Sequence, residues 1–376
     1  MVISESEDRK IIPVASGKGG VGKSFVTANL GMLLAAYGKR TVLVDMDLGG
    51  SNLHTYLGMK NRNLGIGNFL SDKKIRFSDL VGETPYENLA FVPGDVLVPG
   101  TANLMHSQRK SIISNILKLE ADYVLIDLGS GTAPNVIDFF LISNSGLIVT
   151  TPQTPAILNA YNFLKNLTFR HLQQSVTSPK KVADYLKDVV KDKTPGATPT
   201  ISSILSRIAA LSAPAGRTSR SEISSLRPHL IVNMAETPDD LDIAENLHEL
   251  IAKNLEIEIG CMGMVYHDRA VGRTLKNHAP LAAESPDSLA AREIERMAQK
   301  ILQSPEFPNM PLDLEEYANS FELTRIEAQN DFPESDGADR PDAAVNDEEF
   351  LAIITAQKRQ IEELKGTVRM LTMNQR

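Results

Sequence analysis

Seven short apolar runs alternate along the chain with longer segments in which apolar residues recur every three or four positions. The runs cover residues 11–15, 41–45, 89–92, 123–127, 147–151, 230–233 and 258–265. Because these runs are almost continuously apolar, they predict strands that helices cover on both faces. The periodic segments predict helices at 23–37, 105–119, 154–169, 238–254 and 285–302. This alternation is typical of an α/β fold with a mostly parallel, twisted sheet.

A glycine-rich segment stands between the first predicted strand and the first predicted helix. It reads Gly17-Lys18-Gly19-Gly20-Val21-Gly22-Lys23-Ser24 and fits the phosphate-loop pattern G-x-x-x-x-G-K-[ST]. Glycines let successive backbone N–H groups surround phosphates, and the following helix directs its positive end at the same anion. In such loops the lysine pairs with phosphate oxygens and the hydroxyl ligates magnesium. The segment therefore predicts a nucleotide site built on Lys23 and Ser24.

Three segments together resemble the MinD/ParA family of deviant Walker A ATPases. They are the loop with its extra cation Lys18, the acidic segment 44–53 and the strand with its following glycines at 123–131. Residues 150–155 with Ala160 and Tyr161 are most similar to the FlhG-like branch, which positions flagella. The resemblance implies a P-loop NTPase fold that binds ATP and Mg²⁺ and forms an ATP-bridged homodimer.

The resemblance also implies roles for individual residues. Lys18 would reach across the dimer to the phosphates of the other subunit, as an arginine finger does in trans. Asp47 would orient or deprotonate the attacking water, and Asn52 would lie close to the γ-phosphate or else cap a turn. The implied magnesium ligands are Ser24, Asp45 and Asp127. The implied ATP contacts are Gly17, Gly19, Gly20, Val21, Gly22, Lys23, Ser24, Phe25 and, at the base, Asn233, with 266–268 as a second loop near the base.

Composition and charge divide the chain into four parts. Residues 1–168 together with 229–304 carry the motifs and are predicted to form the ATPase domain. Residues 169–228 are predicted to be a basic helical insertion, and residues 305–346 an acidic flexible linker. Residues 312–349 hold 13 acidic residues against 2 arginines, although the whole chain has a net charge of −8. Residues 347–376 are predicted to form a C-terminal amphipathic or coiled-coil helix.

The insertion and the C-terminal helix each allow more than one role. Helices are predicted at 179–190 and 201–211. They form the solvated face of a lid or partner-docking flap, or they bind a polyanion, or they bind the acidic segment of the same chain. The C-terminal heptads favour a parallel two-stranded coiled coil or a helix that binds a partner. The basic residues among them permit a helix that lies on a membrane surface. A frayed tail is the third alternative. The heptad positions are Ile354, Ile361 and Val368 at one site and Phe350, Gln357, Leu364 and Leu371 at another.

Two classes of function compete for this sequence. The first is an ATP-dependent dimerising switch that hydrolyses ATP to control the position or number of a cellular structure, and the complete set of motif residues favours it. The second is a nucleotide-bound scaffold without catalysis that recruits a protein partner. An iron–sulfur carrier would need cysteine ligands at each subunit interface, and Cys261 is the only cysteine.

The expected partners and location follow from the same features. We expect an ATP-bridged homodimer and a protein partner bound through the insertion or the C-terminal helix. Peripheral membrane contact is an alternative, and nucleic acid is less favoured because acidic residues interleave the basic ones. The polar first ten residues lack the apolar core of a secretory signal. We therefore expect a cytoplasmic protein, with the inner membrane or the cell pole as its peripheral site.

Overall fold

The computed structural model describes residues 9–60, 64–94, 104–191, 199–304, 307 and 314–332. These residues divide into two units. The first contains the described residues up to Leu172 and those from Ser221 to Phe332, and the second contains those from Gln173 to Arg220. The C-terminal helix predicted at 347–376 and most of the predicted linker lie outside the described residues. None of the described helices is long and apolar enough to cross a membrane.

The first unit is built on a sheet of eight strands. The strands are β1 Lys10–Ala15, β2 Thr41–Met46, β3 Gly82–Glu83, β4 Leu89–Val92, β5 Tyr123–Leu128, β6 Leu147–Thr150, β7 His229–Ala235 and β8 Gly260–Tyr266. Their order across the sheet is β3-β4-β2-β5-β1-β6-β7-β8. All neighbouring pairs are parallel except β3 with β4. The predicted α/β fold with a mostly parallel sheet is therefore confirmed.

Helices follow most strands, and several helices of the first unit pack against the sheet. They are α1 Lys23–Ala36, α2 Leu53–Tyr56, α3 Ile66–Ser71, α4 His106–Ile116, α5 Pro134–Phe140, α6 Thr154–Ser175, α7 Lys180–Lys191, α8 Ile201–Leu211, α9 Ala213–Ser224, α10 Asp242–Leu255, α11 Arg269–Asn277, α12 Leu281–Glu284, α13 Leu289–Gln303 and α14 Leu314–Asp331. Single 3₁₀ turns occupy Phe77–Leu80 and Pro238–Leu241. Parallel strands joined by helices bring the carboxyl ends of β1, β2 and β5 to one edge of the sheet, where the motif residues stand.

The second unit holds the helices predicted for the insertion. The predicted segments 179–190 and 201–211 correspond to α7 and α8, and α9 begins in the same unit. Val182 and Leu186 on α7 are buried, as are the apolar residues Ile201, Ile204 and Ile208 on α8. These residues recur at helical spacing, so the unit is held by apolar faces, while Lys180, Lys181 and Lys187 are exposed. The role predicted for this unit stays a prediction.

Helix α14 differs from the flexible linker that the acidic composition predicts. Residues 314–331 form a helix that packs on the edge strand β8, with Phe321 and Ala328 buried. Two of its acidic side chains have basic partners on α13: Glu327 lies 2.6 Å from Lys300, and Asp331 lies 2.6 Å from Arg296. The linker prediction is wrong over these residues because a count of charges along the chain does not reveal cations that the fold places opposite them.

The buried carboxyl of Glu293 on α13 predicts a specific dependence of stability on pH. Burial, followed by a hydrogen bond to Asp331, raises the pKa of Glu293 from 4.5 to about 9. The folded chain therefore keeps this proton between those values while the unfolded chain releases it, so stability falls as the pH rises through this window. The effect is on the order of 1 kcal/mol per pH unit.

We expect Glu293→Gln to remove this contribution. Urea unfolding at pH 5.5 and pH 8.5 should show a smaller loss of stability with rising pH than in the unchanged protein, about 1 kcal/mol less per pH unit. Glu322→Gln on α14 is the matched control, because Glu322 is exposed. Equal pH slopes for Glu293→Gln and the unchanged protein would contradict the neutral state of this carboxyl.

Candidate functional site

The phosphate loop connects β1 to α1 and is held close to two other elements. A Cβ on Gly17 would lie 2.2 Å from the carbonyl carbon of Asn159, so the start of the loop touches the backbone of α6. Gly22 has a φ of 85°, and a Cβ there would lie 2.1 Å from Nδ2 of Asn233. Only glycine fits these two positions without displacing a neighbour. The loop is therefore shaped both by its own sequence and by α6 and β7.

Lys23, Ser24 and Asp127 meet at the end of β5. The Nζ atom of Lys23 lies 2.6 Å from Oδ1 of Asp127, and the hydroxyl of Ser24 donates to Oδ2 of the same carboxylate at 2.6 Å. Thr27 donates a third hydrogen bond to Asp127 at 3.2 Å. Lys23 is 6% exposed and Asp127 1% exposed. The structure thus brings two of the predicted magnesium ligands, Ser24 and Asp127, into direct contact beside the loop lysine.

Asp45 at the end of β2 holds the segment that follows it. Its Oδ1 accepts a hydrogen bond from the backbone N–H of Asp47 at 3.0 Å, and its Oδ2 accepts from the Ser51 hydroxyl at 2.6 Å and the Leu53 N–H at 3.3 Å. Burial and then the nearby Asp127 raise the pKa of Asp45 to about 7. The predicted magnesium role of Asp45 stays a prediction, and the geometry shows it as an anchor for residues 47–53.

Asp47 and Asn52 face the same cavity from that anchored segment. Asp47 is half-buried, and burial raises its pKa although the cation of Lys23 opposes the shift. Asn52 stands directly before α2, yet its side chain makes no capping hydrogen bond among the described residues. Because that side chain does not cap the helix, its amide is available to hydrogen-bond to a ligand in the cavity. Both roles stay predictions, and the structure shows that the two residues line the same cavity as the phosphate loop.

A cavity of about 470 Å³ opens beside the phosphate loop. Such a volume lies within the range of ligand pockets. Two groups of residues line it: the phosphate loop with the Asp47 segment, and a second wall made by β7, β8 and α11. The predicted site residues on its lining are Gly19, Gly20, Val21, Gly22, Lys23, Ser24, Phe25, Asp47, Asn52 and Asn233.

The second wall, which we call the distal wall, contains cavity-lining residues that the motifs do not reveal. These are Met234, Val271 and Leu275; the wall also contains Tyr266, His267 and Asp268, the loop that the sequence analysis expected near the base. Met234 has a φ of 60°, and the register of β7 against β8 shifts between Asn233 and Ala235. This irregularity lets two consecutive residues of one strand line the same cavity, which a regular strand does not allow.

Asn233 and Lys18 differ from the other predicted site residues. The side-chain amide of Asn233 donates to the carbonyl of Val21 at 2.8 Å, so it ties the distal wall to the phosphate loop. Its predicted contact with the base stays a prediction. Lys18 is partly exposed and is not one of the described residues that line the cavity. That position agrees with a cation that would act on another subunit, which is likewise a prediction.

Comparison with known proteins identifies relatives of this chain. The ParA family model, described as NUBPL iron-transfer P-loop NTPase, matches residues 7–177. The septum site-determining protein MinD of Helicobacter pylori is 33% identical over 148 residues, which is 39% of this chain and 54% of that protein. MinD of Bacillus subtilis is 25% identical over 318 residues, or 84% of this chain and 96% of that protein. The chain spans about half the length of the first four curated relatives that it matches.

Solved structures share the fold. The septum site-determining protein MinD from Pyrococcus horikoshii, complexed with Mg-ADP, aligns with a TM-score of 0.53 at 20% identity and covers 81% of this chain and all of that one. A ParA family ATPase from Chlorobium tepidum aligns with a TM-score of 0.52 at 17% identity, over 78% of this chain and 99% of that one. The chain is therefore similar in sequence to MinD and ParA proteins, and it shares the fold of the solved MinD and ParA structures.

Proposed function

We propose that this chain, a P-loop NTPase of MinD/ParA type, is a Mg²⁺-dependent ATPase that acts as a dimerising switch. ATP would bridge two subunits, and hydrolysis would release them, so that nucleotide state controls the position or number of a cellular structure. The observation that carries the proposal is the contact of Lys23 and Ser24 with Asp127 beside a cavity that Asp47 lines. These are the groups that phosphoryl transfer needs: a phosphate cradle, a hydroxyl with a carboxylate for magnesium, and a carboxylate for water.

The described residues fit magnesium and a nucleoside triphosphate. Magnesium takes oxygen ligands, and it commonly keeps only one or two protein ligands beside phosphates and waters. The hydroxyl of Ser24 and the carboxylate of Asp127 supply such oxygens at the inner end of the loop. No described group of three or more His, Cys, Asp or Glu side chains forms a separate metal site. Bound magnesium would neutralise phosphate charge, and the loop N–H groups and Lys23 would orient the phosphates.

Asp47 is the proposed group that acts on water. Its carboxylate is half-buried and lines the cavity beside the phosphate loop, where it could accept a proton from water. Asp45 holds the backbone of Asp47 at 3.0 Å, so the catalytic carboxylate stands on an anchored segment. Asn52 would orient the same water or a phosphate oxygen.

The finer proposals concern assembly and cellular role. Lys18 is proposed to complete the site of a second subunit, which makes an ATP-bridged homodimer the catalytic form. The curated relatives are septum site-determining proteins, which supports a role in spatial positioning. Residues 150–155 with Ala160 and Tyr161 favour flagellar positioning within that class. A protein partner, and peripheral contact with a membrane or the cell pole, would involve the insertion or the C-terminal residues 347–376.

Iron transfer, which the matched family model names, has less support in this chain. Cys261 is the only cysteine in the sequence. It lies in β8, is 3% exposed, and burial raises the pKa of its thiol to about 11. A buried, protonated thiol is a poor metal ligand because the thiolate is the form that binds. The ATPase switch is therefore better supported than iron transfer.

The proposal is tested by phosphate release from ATP. We expect the purified chain to hydrolyse ATP slowly in the presence of Mg²⁺, and more slowly still after EDTA removes the metal. Added MgCl₂ should restore the rate, which separates metal dependence from loss of protein. Tight ATP binding with no phosphate release, alone or with vesicles and candidate partners, would instead support the non-catalytic scaffold.

A further inference from the structure

Tyr266 connects the nucleotide cavity to helix α14. It is the last residue of β8 and lines the cavity, and its hydroxyl donates to the carbonyl of Ala328 at 2.7 Å. The residue is 4% exposed, and its ring lies 5.8 Å from the ring of Phe332. Burial, followed by the nearby carboxyls of Glu293 and Asp331, raises the pKa of the phenol. The hydroxyl therefore stays a donor across the physiological pH range.

Helix α14 is itself fixed from several sides. Arg325 lies 2.5 Å from Asp242 and 2.8 Å from Glu245, both on α10. The ring of Phe321 stacks on His248 at 4.9 Å. At the edge of the sheet, the backbone N–H of Cys261 donates to the hydroxyl of Ser320 at 2.9 Å. A helix held by α10, α13 and β8 is a firm support for a side chain that hydrogen-bonds to it.

The residues after Tyr266 transmit its position to the distal wall. The N–H of His267 donates to the carbonyl of Ala235 at 2.8 Å. Asp268 accepts hydrogen bonds from Ala270 at 2.7 Å and from Ala290 at 3.2 Å, so it caps α11 and ties it to α13. Helix α11 then contributes Val271 and Leu275 to the cavity. A shift at Tyr266 would therefore move the start of the distal wall.

We propose that Tyr266 is a positioning residue through which α14 sets the distal wall of the nucleotide cavity. This inference rests on the proposed function, because it assigns the distal wall to the nucleoside part of a nucleotide whose phosphates occupy the loop. The cavity supports that assignment: its loop side offers backbone N–H groups and Lys23, whereas its distal wall offers Met234, Val271 and Leu275, which suit a flat, mostly apolar base.

Reciprocal stabilisation follows from this arrangement. If docking of α14 improves nucleotide binding, bound nucleotide must stabilise the docked α14 by the same free energy. The sequence continues beyond Phe332. A change in the docking of α14 on nucleotide binding would therefore reach the residues that follow this helix. Helix α14 then links the nucleotide cavity to the remainder of the chain.

Tyr266→Phe in the full chain tests the proposal, because it removes only the hydroxyl. We expect the Kd for Mg-ADP to rise about 3- to 10-fold, as expected from one lost hydrogen bond. The Kd for inorganic tripolyphosphate, which lacks a nucleoside, should not change. Arg325→Ala, whose partners lie on α10, should loosen α14 and cause the same selective loss. Tyr185→Phe in the second unit is the matched control.

Hydrogen exchange gives an independent readout. Mg-ADP should slow exchange in residues 314–331 of the unchanged protein, and this protection should be smaller in Tyr266→Phe. An unchanged Kd for Mg-ADP in Tyr266→Phe, or an equal loss for ADP and tripolyphosphate, would overturn the inference while leaving the ATPase proposal intact. Failure of the unchanged protein to bind either ligand would overturn both.

Discussion

Lys18→Ala should abolish the ATP-dependent association of two chains and lower partner-stimulated ATP turnover by about 10³-fold or more, by analogy with an arginine supplied in trans. The reason is position: Lys18 follows the first glycine of the loop, yet it is not among the described residues that line the cavity of its own chain. A cation placed in this way can act on phosphates held by another subunit. ATP binding by each chain should change little, since Lys23 and Ser24 are untouched.

Light scattering with and without Mg-ATP measures this association, and phosphate release measures turnover. Lys39→Ala is the matched control, because Lys39 is an exposed lysine distant in sequence from the loop. The C-terminal residues 347–376 offer a second route to a dimer, so a chain ending near residue 304 should be compared with the full chain. ATP-dependent association that persists undiminished in Lys18→Ala would refute the action in trans.

Asp47→Ala and Lys23→Ala should have opposite effects on nucleotide retention. Asp47→Ala should lower ATP turnover by about 10²- to 10⁴-fold, the range for loss of a general base, while ATP stays bound and the dimer accumulates. Lys23→Ala should instead weaken ATP binding by roughly 10- to 100-fold, since a charged hydrogen-bond donor to the phosphates is lost. The contrast separates the carboxylate that acts on water from the lysine that holds phosphate.

Lys23 also has a structural partner, which the experiment must take into account. Asp127 is 1% exposed and lies 2.6 Å from the Lys23 ammonium, so Lys23→Ala leaves a buried carboxylate without its cation. Lys23→Gln keeps a neutral hydrogen-bond donor on a side chain one bond shorter, and we expect it to lose ATP affinity with less loss of thermal stability than Lys23→Ala. Asp287→Ala, at an exposed position, controls for the change at Asp47. A monomeric Asp47→Ala under conditions where the unchanged protein dimerises would show that its assigned role is wrong.

Helix α14 shows where reasoning from composition fails. A surplus of acidic residues between prolines predicts a solvated linker when only composition is considered. In the fold, Glu327 and Asp331 pair with Lys300 and Arg296 on α13, while Phe321 and Ala328 are buried as α14 packs on β8. The stabilising partners are distant in sequence, so no local pattern contains them. Local sequence likewise does not predict that Met234 lines the distal wall, because Met234 reaches the cavity only through the shift in strand register.

The sequence by itself determined the alternating elements, the parallel sheet and the phosphate loop, because apolar periodicity and glycine spacing are local properties that the backbone must obey. The resemblance of its motifs to the MinD/ParA family implied that Ser24, Asp45 and Asp127 act together as magnesium ligands. Only the tertiary structure decided how these groups are used: Asp127 contacts Lys23 and Ser24, whereas Asp45 anchors the segment that carries Asp47. It also decided that Tyr266 joins the cavity to α14. Such pairings depend on distances between residues far apart in the chain, and packing, not local pattern, sets those distances.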